Sequence, residues 1–376
     1  MNDAIGALAR VIDEVVAPAA TEVDREGAFP RTGIAALADG GILGLTTSAD
    51  LGGGGQGLGE AASVIEALAA ACGSTAMVVL MHYAAVAVLE ASGPEEVRRA
   101  VGSGAHLSTL AFSEVGSRSH FWAPLGTATE DTGAVRLDAR KSWVTSAGHA
   151  DSYVWSSRPL GGAGGPMTLW LVPATAEGLH GSGAFDGLGL RGNSSTPVVA
   201  ENVRIPPEAM LGPDGAGLDL ALSTALPWFL VLSAAFSIGL MEAVTRETLH
   251  HATATQLEHL GQTLMQQAVI RADVARMRIQ TDAVRALVND TLSAWGAGRE
   301  DAMLRVLEVK AAAAEAALAV TDLAMKVCGG SAFRKELGVE RAFRDARAAR
   351  VMAPTTDALL DFVGRAIAGM PLLEAS

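Results

Sequence analysis

Apolar side chains recur at three- and four-residue spacing through Ile5–Val23, Ile34–Leu43, Ala61–Cys72 and Thr75–Ala91, which predicts a helical N-terminal region. Between about Leu107 and Ile205 the texture changes. Short runs rich in β-branched and aromatic residues appear at Leu107–Phe112, Ala134–Ala139, Trp143–Ser146, Tyr153–Ser157, Thr168–Val172 and Pro197–Val203. Gly, Pro, Asp and Asn punctuate them, as in an antiparallel sheet or small barrel. From Ala216 the helical spacing returns in four long segments, roughly Leu218–Leu249, Leu260–Trp295, Glu300–Val327 and Pro354–Met370, which read as a bundle. The pattern therefore predicts an α+β fold: an N-terminal α-helical domain over 1–106, a central antiparallel β domain over 107–215 and a C-terminal four-helix bundle over 216–376.

Composition narrows this picture. The 376 residues are 49% apolar with only 5% aromatic, so the interior is built mainly from Ala, Leu and Val. A mean hydropathy of +0.29 raises the question of a membrane. The longest apolar stretch, Ala225–Leu240, is interrupted by Pro227 and Ser233 and falls short of a span, so a buried helix with no membrane contact is expected. Asp3, Asp13 and Glu14 replace the basic, apolar opening of a signal segment. Cys72 and Cys328 match no metal or redox spacing, and a reduced, cytoplasmic protein is expected. The net charge of −13 argues against nucleic acid as a partner.

Candidate chemistry is sparse. The glycines of Gly52–Gly55, with Gly57 and Gly59, lack the Lys-Ser/Thr of a phosphate loop, and a flexible helix connection is expected there. His250, His251 and His259 cluster without a further ligand at metal spacing. In Lys141-Ser-Trp-Val-Thr-Ser-Ala-Gly-His-Ala-Asp151, a strand would place Trp143 and Thr145 on one face, an indole beside a hydroxyl able to flank a flat heteroaromatic ring. From these residues alone, a half-buried Trp in a β domain is the better explanation of the segment.

The ordered set is more specific. Leu51-Gly-Gly53, Leu110-Ala-Phe-Ser-Glu-Val-Gly-Ser117, the Trp143 segment and Gly187-Leu-Gly-Leu-Arg-Gly-Asn193 come first. Val203-Arg-Ile-Pro206, Leu211-Gly212, Cys328-Gly-Gly-Ser-Ala-Phe333, Glu340-Arg341 and Phe343-Arg-Asp-Ala-Arg347 follow. In that order and spacing the chain resembles the acyl-CoA dehydrogenase superfamily nearly end to end. The resemblance implies a homodimer or homotetramer with a flavin between the β domain and the bundle, normally FAD. It places Phe112 and Ser113 at the flavin ring or its edge, Gly116 and Ser117 on the pyrophosphate side, and Trp143 and Thr145 along the isoalloxazine. Gly329 and Gly330 face the adenine half of a neighbouring subunit's cofactor, and Thr355 lies near the ribitol or phosphate.

The chain departs from that family at its chemistry. The family's basic Glu follows the Arg-Asp-Ala motif, where this chain reads Ala353-Pro-Thr355; the alternative position, early in the first bundle helix, reads Pro227-Trp-Phe-Leu230. The Arg-x-x-Phe-Gly pattern that meets the FAD diphosphate is replaced by Thr255–Gly261, without arginine, which admits FMN as the alternative cofactor. The loop after Glu114 runs Val-Gly-Ser-Arg118 and then Ser119-His-Phe-Trp122 in place of the usual pattern. His82, on a helix that runs near the cavity in relatives, and His120, in the altered loop, are the replacement acid–base candidates, since histidine titrates near neutrality. Asp357 is a helix-start or N-cap carboxylate instead. Three readings follow. The first is a flavin oxidoreductase that oxidises an acyl thioester or related small substrate with a non-standard base and an electron-transfer partner. The second is a monooxygenase that uses reduced flavin from a reductase and O2. The third is a non-enzymatic flavoprotein.

Overall fold

The computed structural model describes residues 2–117, 120–162, 164–181 and 183–373. It divides into two compact units, Met1–Ala61 with Met77–Asp186 and Arg191–Phe229, and Ala62–Ala76 with Gly187–Leu190 and Leu230–Ser376.

The first unit opens with α1 (Asn2–Val11), a π-helical turn (Ile12–Val16), α2 (Ala17–Glu26) and α3 (Arg31–Asp39). It also holds the start of α4 (Leu58–Ala69), most of α5 (Gly73–Ser92), all of α6 (Glu95–Gly102) and, after the sheets, α7 (Gly217–Ser223). The glycine run between α3 and α4 is packed, not flexible. A Cβ on Gly53 would lie 2.2 Å from the Thr47 carbonyl oxygen, and one on Gly54 would lie 2.7 Å from that of Leu45. The amides of Gly53, Gly54 and Gly55 donate to Ser48, Gly44 and Thr47 at 3.1, 3.0 and 2.8 Å, so they cradle no phosphate.

Two four-stranded sheets follow. One has the order β1 (Ser108–Ala111), β4 (Ser152–Ser157), β5 (Thr168–Pro173), β8 (Met210–Leu211). The other has the order β2 (Thr127–Asp131), β3 (Ala134–Val144), β7 (Thr196–Ile205), β6 (Leu179–Gly181). Every pair is antiparallel except β1 with β4. Val135, Leu137, Val198 and Val203 from one sheet and Tyr153, Trp155, Trp170 and Val172 from the other form a shared core. Trp155 lies directly opposite Trp170 across the β4–β5 ladder, and both are fully buried. Truncating either would cost about 3–5 kcal/mol. The run expected at Ala134–Ala139 and the start of that at Trp143–Ser146 are one strand, β3, because Lys141 continues its inward alternation, and Thr145 and Ser146 lie in the turn beyond it.

The second unit is helical. α8 (Ala225–Ala254) runs unbroken through Pro227 and Ser233, which corrects the expected interruption. By length and composition, Gly73–Ser92 and Gly217–Ala254 are both apolar enough to cross a membrane, yet 78% and 89% of their apolar windows are buried inside the protein. Gly239 lets α8 close on α4, since a Cβ there would meet the Glu66 carbonyl at 2.3 Å. The segment expected to be helical from Leu260 first forms a small hairpin, β9 (Gln256–Leu257) and β10 (Gln262–Thr263). A capping box between Thr263 and Gln266 follows, and α9 begins only at Ala268 (Ala268–Gly296). After α10 (Ala302–Cys328) comes a helix the spacing did not predict, α11 (Val339–Val351), and then α12 (Thr356–Ile367). Arg347 reaches Asp322 at 2.6 Å and Arg350 reaches Glu315, so α11's arginines tie it to α10.

Two of the motifs that carry the family resemblance form one latch. Asp345 accepts from the Leu190 amide at 2.6 Å, and Arg344 donates to the Leu188 carbonyl at 3.0 Å. Gly189 is required between them, because a Cβ would lie 2.5 Å from the Arg344 backbone.

Candidate functional site

The first unit gathers six of the predicted site residues around one strand end. Residues 113–115 run against 140–142: the Ser142 amide donates to the Ser113 carbonyl at 2.9 Å, and the Val115 amide to Arg140 at 3.0 Å. This sets Phe112 and Ser113 next to the end of β3, followed by Gly116 at φ 95 and Ser117. At that end the β3–β7 register slips between Lys141 and Val144, and Trp143 adopts φ 56. The slip overturns the expected shared face. Trp143 is 71% exposed, whereas Thr145 is 4% exposed and shares a 3.0 Å hydrogen bond with Ser195. A non-glycine residue at positive φ is strained, and such strain persists where the surroundings hold it in place. Here it turns a flat indole out of the sheet.

A buried ion pair, Glu114 with Lys141, anchors the loop and was missed at the level of sequence. Lys141 Nζ donates to Glu114 at 2.6 Å and to the carbonyl and hydroxyl oxygens of Ser156 at 2.7 and 2.9 Å. The other Glu114 oxygen accepts the Leu125 and Gly126 amides at 2.5 and 3.0 Å. Burial pushes the Lys141 ammonium down to about 8, against the pull of Glu114. The signal was present: a lysine at an inward position after Val135, Leu137 and Ala139 needs a buried partner.

The two candidate histidines differ. His82 is fully buried in α5. Its Nδ1 accepts the Ser108 amide at 3.1 Å, so Nε2 carries the proton and donates to the Leu43 carbonyl at 3.1 Å. Burial pushes it down to about 4, and both ring nitrogens are engaged by backbone. His120 is exposed. Its Nδ1 lies 3.0 Å from the Ser117 carbonyl, which can only accept, so Nδ1 is the donor. The ring stands edge-on to Trp122 at 4.9 Å, and Trp122 in turn meets Phe121 at 5.3 Å. Arg118 and Ser119, in the same loop, lie outside the described residues. The structure does not bring His82 and His120 together.

In the second unit Gly329 (φ 55) and Gly330 are exposed at the end of α10, with nothing within 4 Å of where a Cβ would lie. Thr355 is the N-cap of α12, its hydroxyl accepting from the Ala358 amide at 3.4 Å, so Asp357 lies in the first turn and does not cap. Ala353 presents a methyl two residues earlier. The buried carboxylates of this unit are engaged: Asp273 with Lys326 and Arg276 at 2.7 Å each, and Asp345 with Leu190.

A flavin fits these residues at its ring. An open indole beside the Ser113–Ser117 loop offers a flat apolar wall. At the diphosphate the fit is poorer, since Thr255–Gly261 contains no arginine.

Helical, β and helical segments follow in that order, with Trp143 displayed and a glycine pair ending a bundle helix. Three models of one family match in succession: the acyl-CoA dehydrogenase N-terminal domain over residues 4–103, the middle domain over 109–203 and the C-terminal domain over 215–368. The chain belongs to the acyl-CoA dehydrogenase family. It is 27% identical over 354 residues to a probable acyl-CoA dehydrogenase, YngJ, of Bacillus subtilis, covering 91% of each chain. It is 26% identical to a cyclohex-1-ene-1-carbonyl-CoA dehydrogenase of Geobacter metallireducens, covering 94% of this chain and 93% of that one. The fold of butyryl-CoA dehydrogenase from Megasphaera elsdenii superposes with a TM-score of 0.91 at 22% identity, covering 98% and 97%.

Proposed function

We propose that this enzyme oxidises an acyl thioester, with His120 in place of the family's glutamate. The carrying observation is the His120 ring itself: its Nδ1–H donates to the Ser117 carbonyl, and among the described residues none is hydrogen-bonded to its Nε2. A thioester carbonyl acidifies the adjacent C–H. Nε2 would accept that proton, and positioned general-base catalysis is worth roughly 10²–10⁴-fold. A bound flavin supplies the hydride acceptor. Trp143 would form one wall against the ring, and the Glu114–Lys141 pair holds the loop that carries His120 in register with β3. His82 has no part in this reading, because neither of its nitrogens is open.

Cyclohex-1-ene-1-carbonyl-CoA dehydrogenase and butyryl-CoA dehydrogenase are both named for CoA thioesters, which supports a thioester substrate here. We assign FAD over FMN because Gly329 and Gly330 leave an open backbone edge for an adenine half. A homodimer or homotetramer is supported by Leu360 and Ile367, exposed seven residues apart on one face of α12. The free, buried Cys72 and Cys328 suit a reducing cytoplasm. The electrons would leave to an electron-transfer protein.

The test is anaerobic mixing of flavin-loaded protein with a series of acyl-CoA thioesters, following the oxidised-flavin absorbance. Bleaching by wild type and its loss in His120→Asn is expected. No bleaching by any thioester, together with a long-lived oxygen adduct when reduced protein meets aerated buffer, would replace this reading with a monooxygenase.

A further inference from the structure

The stretch from Asp24 to Arg31, which joins α2 to α3, is clasped to the rest of the first unit at both ends, and only one clasp can respond to a proton. At the α2 end, Arg191 Nε donates to the Asp24 carbonyl at 2.8 Å. At the other, Arg31, the first residue of α3, donates from its guanidinium to His149 Nδ1 at 2.7 Å, in the turn that follows β3. The His149 ring also stacks on Phe29, with centroids 4.0 Å apart and planes 19° from parallel. An arginine has donors only, so Nδ1 is the acceptor and the neutral ring carries its proton on Nε2. Among the described residues His149 makes no ion pair with a carboxylate, and none is hydrogen-bonded to Nε2. The other charged groups on these elements are occupied or remote. Arg25 pairs with Glu26 at 2.7 Å, Asp186 with Arg191 at 3.2 Å, and the Asp151 carboxylate accepts the Leu107 amide at 2.7 Å. Asp24 is buried, and Asp39 lies at the far end of α3. The Tyr153 hydroxyl accepts the Gly148 amide at 3.2 Å, and burial raises it, so it stays neutral. Burial, and after it the Arg31 charge, lowers the basicity of His149.

We propose that Arg31 and His149 form an acid-released clasp, which holds the start of α3 to the turn after β3 only while the imidazole is neutral. A proton taken up by the ring has one place to go, because Nε2 already carries one: it adds to Nδ1. The contact then sets an N–H against an N–H and one positive charge against another. The stack on Phe29 survives, and a cationic ring gains from the aromatic face, but the guanidinium has to leave. The folded protein thus favours the neutral ring. The contribution of the clasp is whole above about 6.5, the ordinary histidine value that the unfolded chain regains, and is lost as pH falls from there through the lower folded value. The Arg191–Asp24 contact uses a backbone carbonyl and a guanidinium, neither of which titrates in that range, so the stretch opens from its α3 end. Ile34 and Leu37 are buried in the core, which confines the opening to the first turn of α3.

The experiment uses the full-length, flavin-loaded protein with isotope-labelled histidine rings, titrated by NMR, and His149→Gln identifies the His149 signal. Wild-type His149 should titrate below the ordinary histidine value, and Arg31→Met should move it up. In parallel, hydrogen exchange of the first turn of α3 is followed at about pH 7.5 and about pH 5 and corrected for the intrinsic rate. Protection in wild type should fall about tenfold between the two, the worth of one charge-assisted hydrogen bond. It should hold in His149→Gln, whose amide oxygen accepts from Arg31 at either pH, and should be low at both in Arg31→Met. His149→Gln retains His82, so any general loosening by acid appears in it too and cancels from the comparison. The same His149 titration in wild type and Arg31→Met would overturn the clasp, and so would protection that falls alike in wild type and His149→Gln. If His149→Gln does not fold, the exchange of wild type and Arg31→Met decides, and equal protection at pH 7.5 overturns the clasp as well.

Discussion

His82 and His120 are the same residue type, nominated by the same sequence for the same task, and the fold places them in opposite circumstances. In α5, His82 is surrounded by Val78, Val79, Tyr83 and Val86, all buried, and its ring bridges the Leu43 carbonyl and the Ser108 amide. It joins the segment after α3 to the first strand. In the loop after β1, His120 is exposed, and among the described residues its one hydrogen bond is from Nδ1 to a carbonyl three residues back. One histidine contributes its hydrogen bonds to stability. The other uses one to orient itself. Residue type nominates an acid–base group, but a free nitrogen with a fixed tautomer decides whether it can serve.

The largest effect that tests this contrast is on rate. His120→Asn should lower turnover by about 10²–10⁴-fold while flavin content and melting temperature stay at wild-type values. His82→Ala should show the converse. It leaves a cavity and two unpaired backbone groups, and should lose about 2–4 kcal/mol of unfolding free energy in urea. Turnover per folded molecule should be unchanged. If His82→Ala abolished turnover in fully folded protein, or His120→Asn left it intact, the assignment would be reversed. A smaller effect is expected at the displayed ring. Trp143→Leu should weaken flavin binding by about 1 kcal/mol, the worth of an aromatic stacking contact beyond burial, measured by titrating flavin-free protein with FAD and following flavin fluorescence.

Much of the fold was legible because it follows from period. The change from helical spacing to short β runs and back was visible, and so was a core poor in aromatics. What escaped was whatever depends on a partner remote in sequence. α11 reads as a polar, arginine-rich stretch, and it becomes a helix because Asp322 and Glu315 on α10 receive its arginines. β2 reads Thr-Ala-Thr-Glu-Asp, with Ala128 alone fully buried, and is recognisable as a strand only once it pairs with β3. At the site, the ordered motifs located Phe112, Ser113, Gly116, Ser117 and Trp143 around one strand end. The assumption of unbroken alternation then failed between Trp143 and Thr145, because a positive φ at a non-glycine residue leaves no mark in sequence. His82's burial was partly readable, since a histidine in a helix apolar all round has little water to meet.

The burial of His82 should also show under acid, with a sign that follows from its depressed value. Burial holds His82 near 4, below the ordinary value of about 6.5 that it regains on unfolding. Above pH 6.5 the ring is neutral in both states, and the His82 contribution to stability is intact. As pH falls from about 6.5 toward 4, the unfolded chain takes up a proton that the folded chain refuses. Stability should therefore drop across that window, by on the order of 1–3 kcal/mol, and level off below it. Neighbouring His106 disfavours the charged ring and Asp151 favours it, but both are weaker than burial. Urea unfolding of wild type and His82→Gln at half-unit steps from pH 7.5 to 4.5 reads this directly. The glutamine variant, less stable at pH 7.5, should converge on wild type as pH falls, because it has no proton to refuse. Parallel curves would show that His82 titrates alike in both states and that its burial does not hold it neutral.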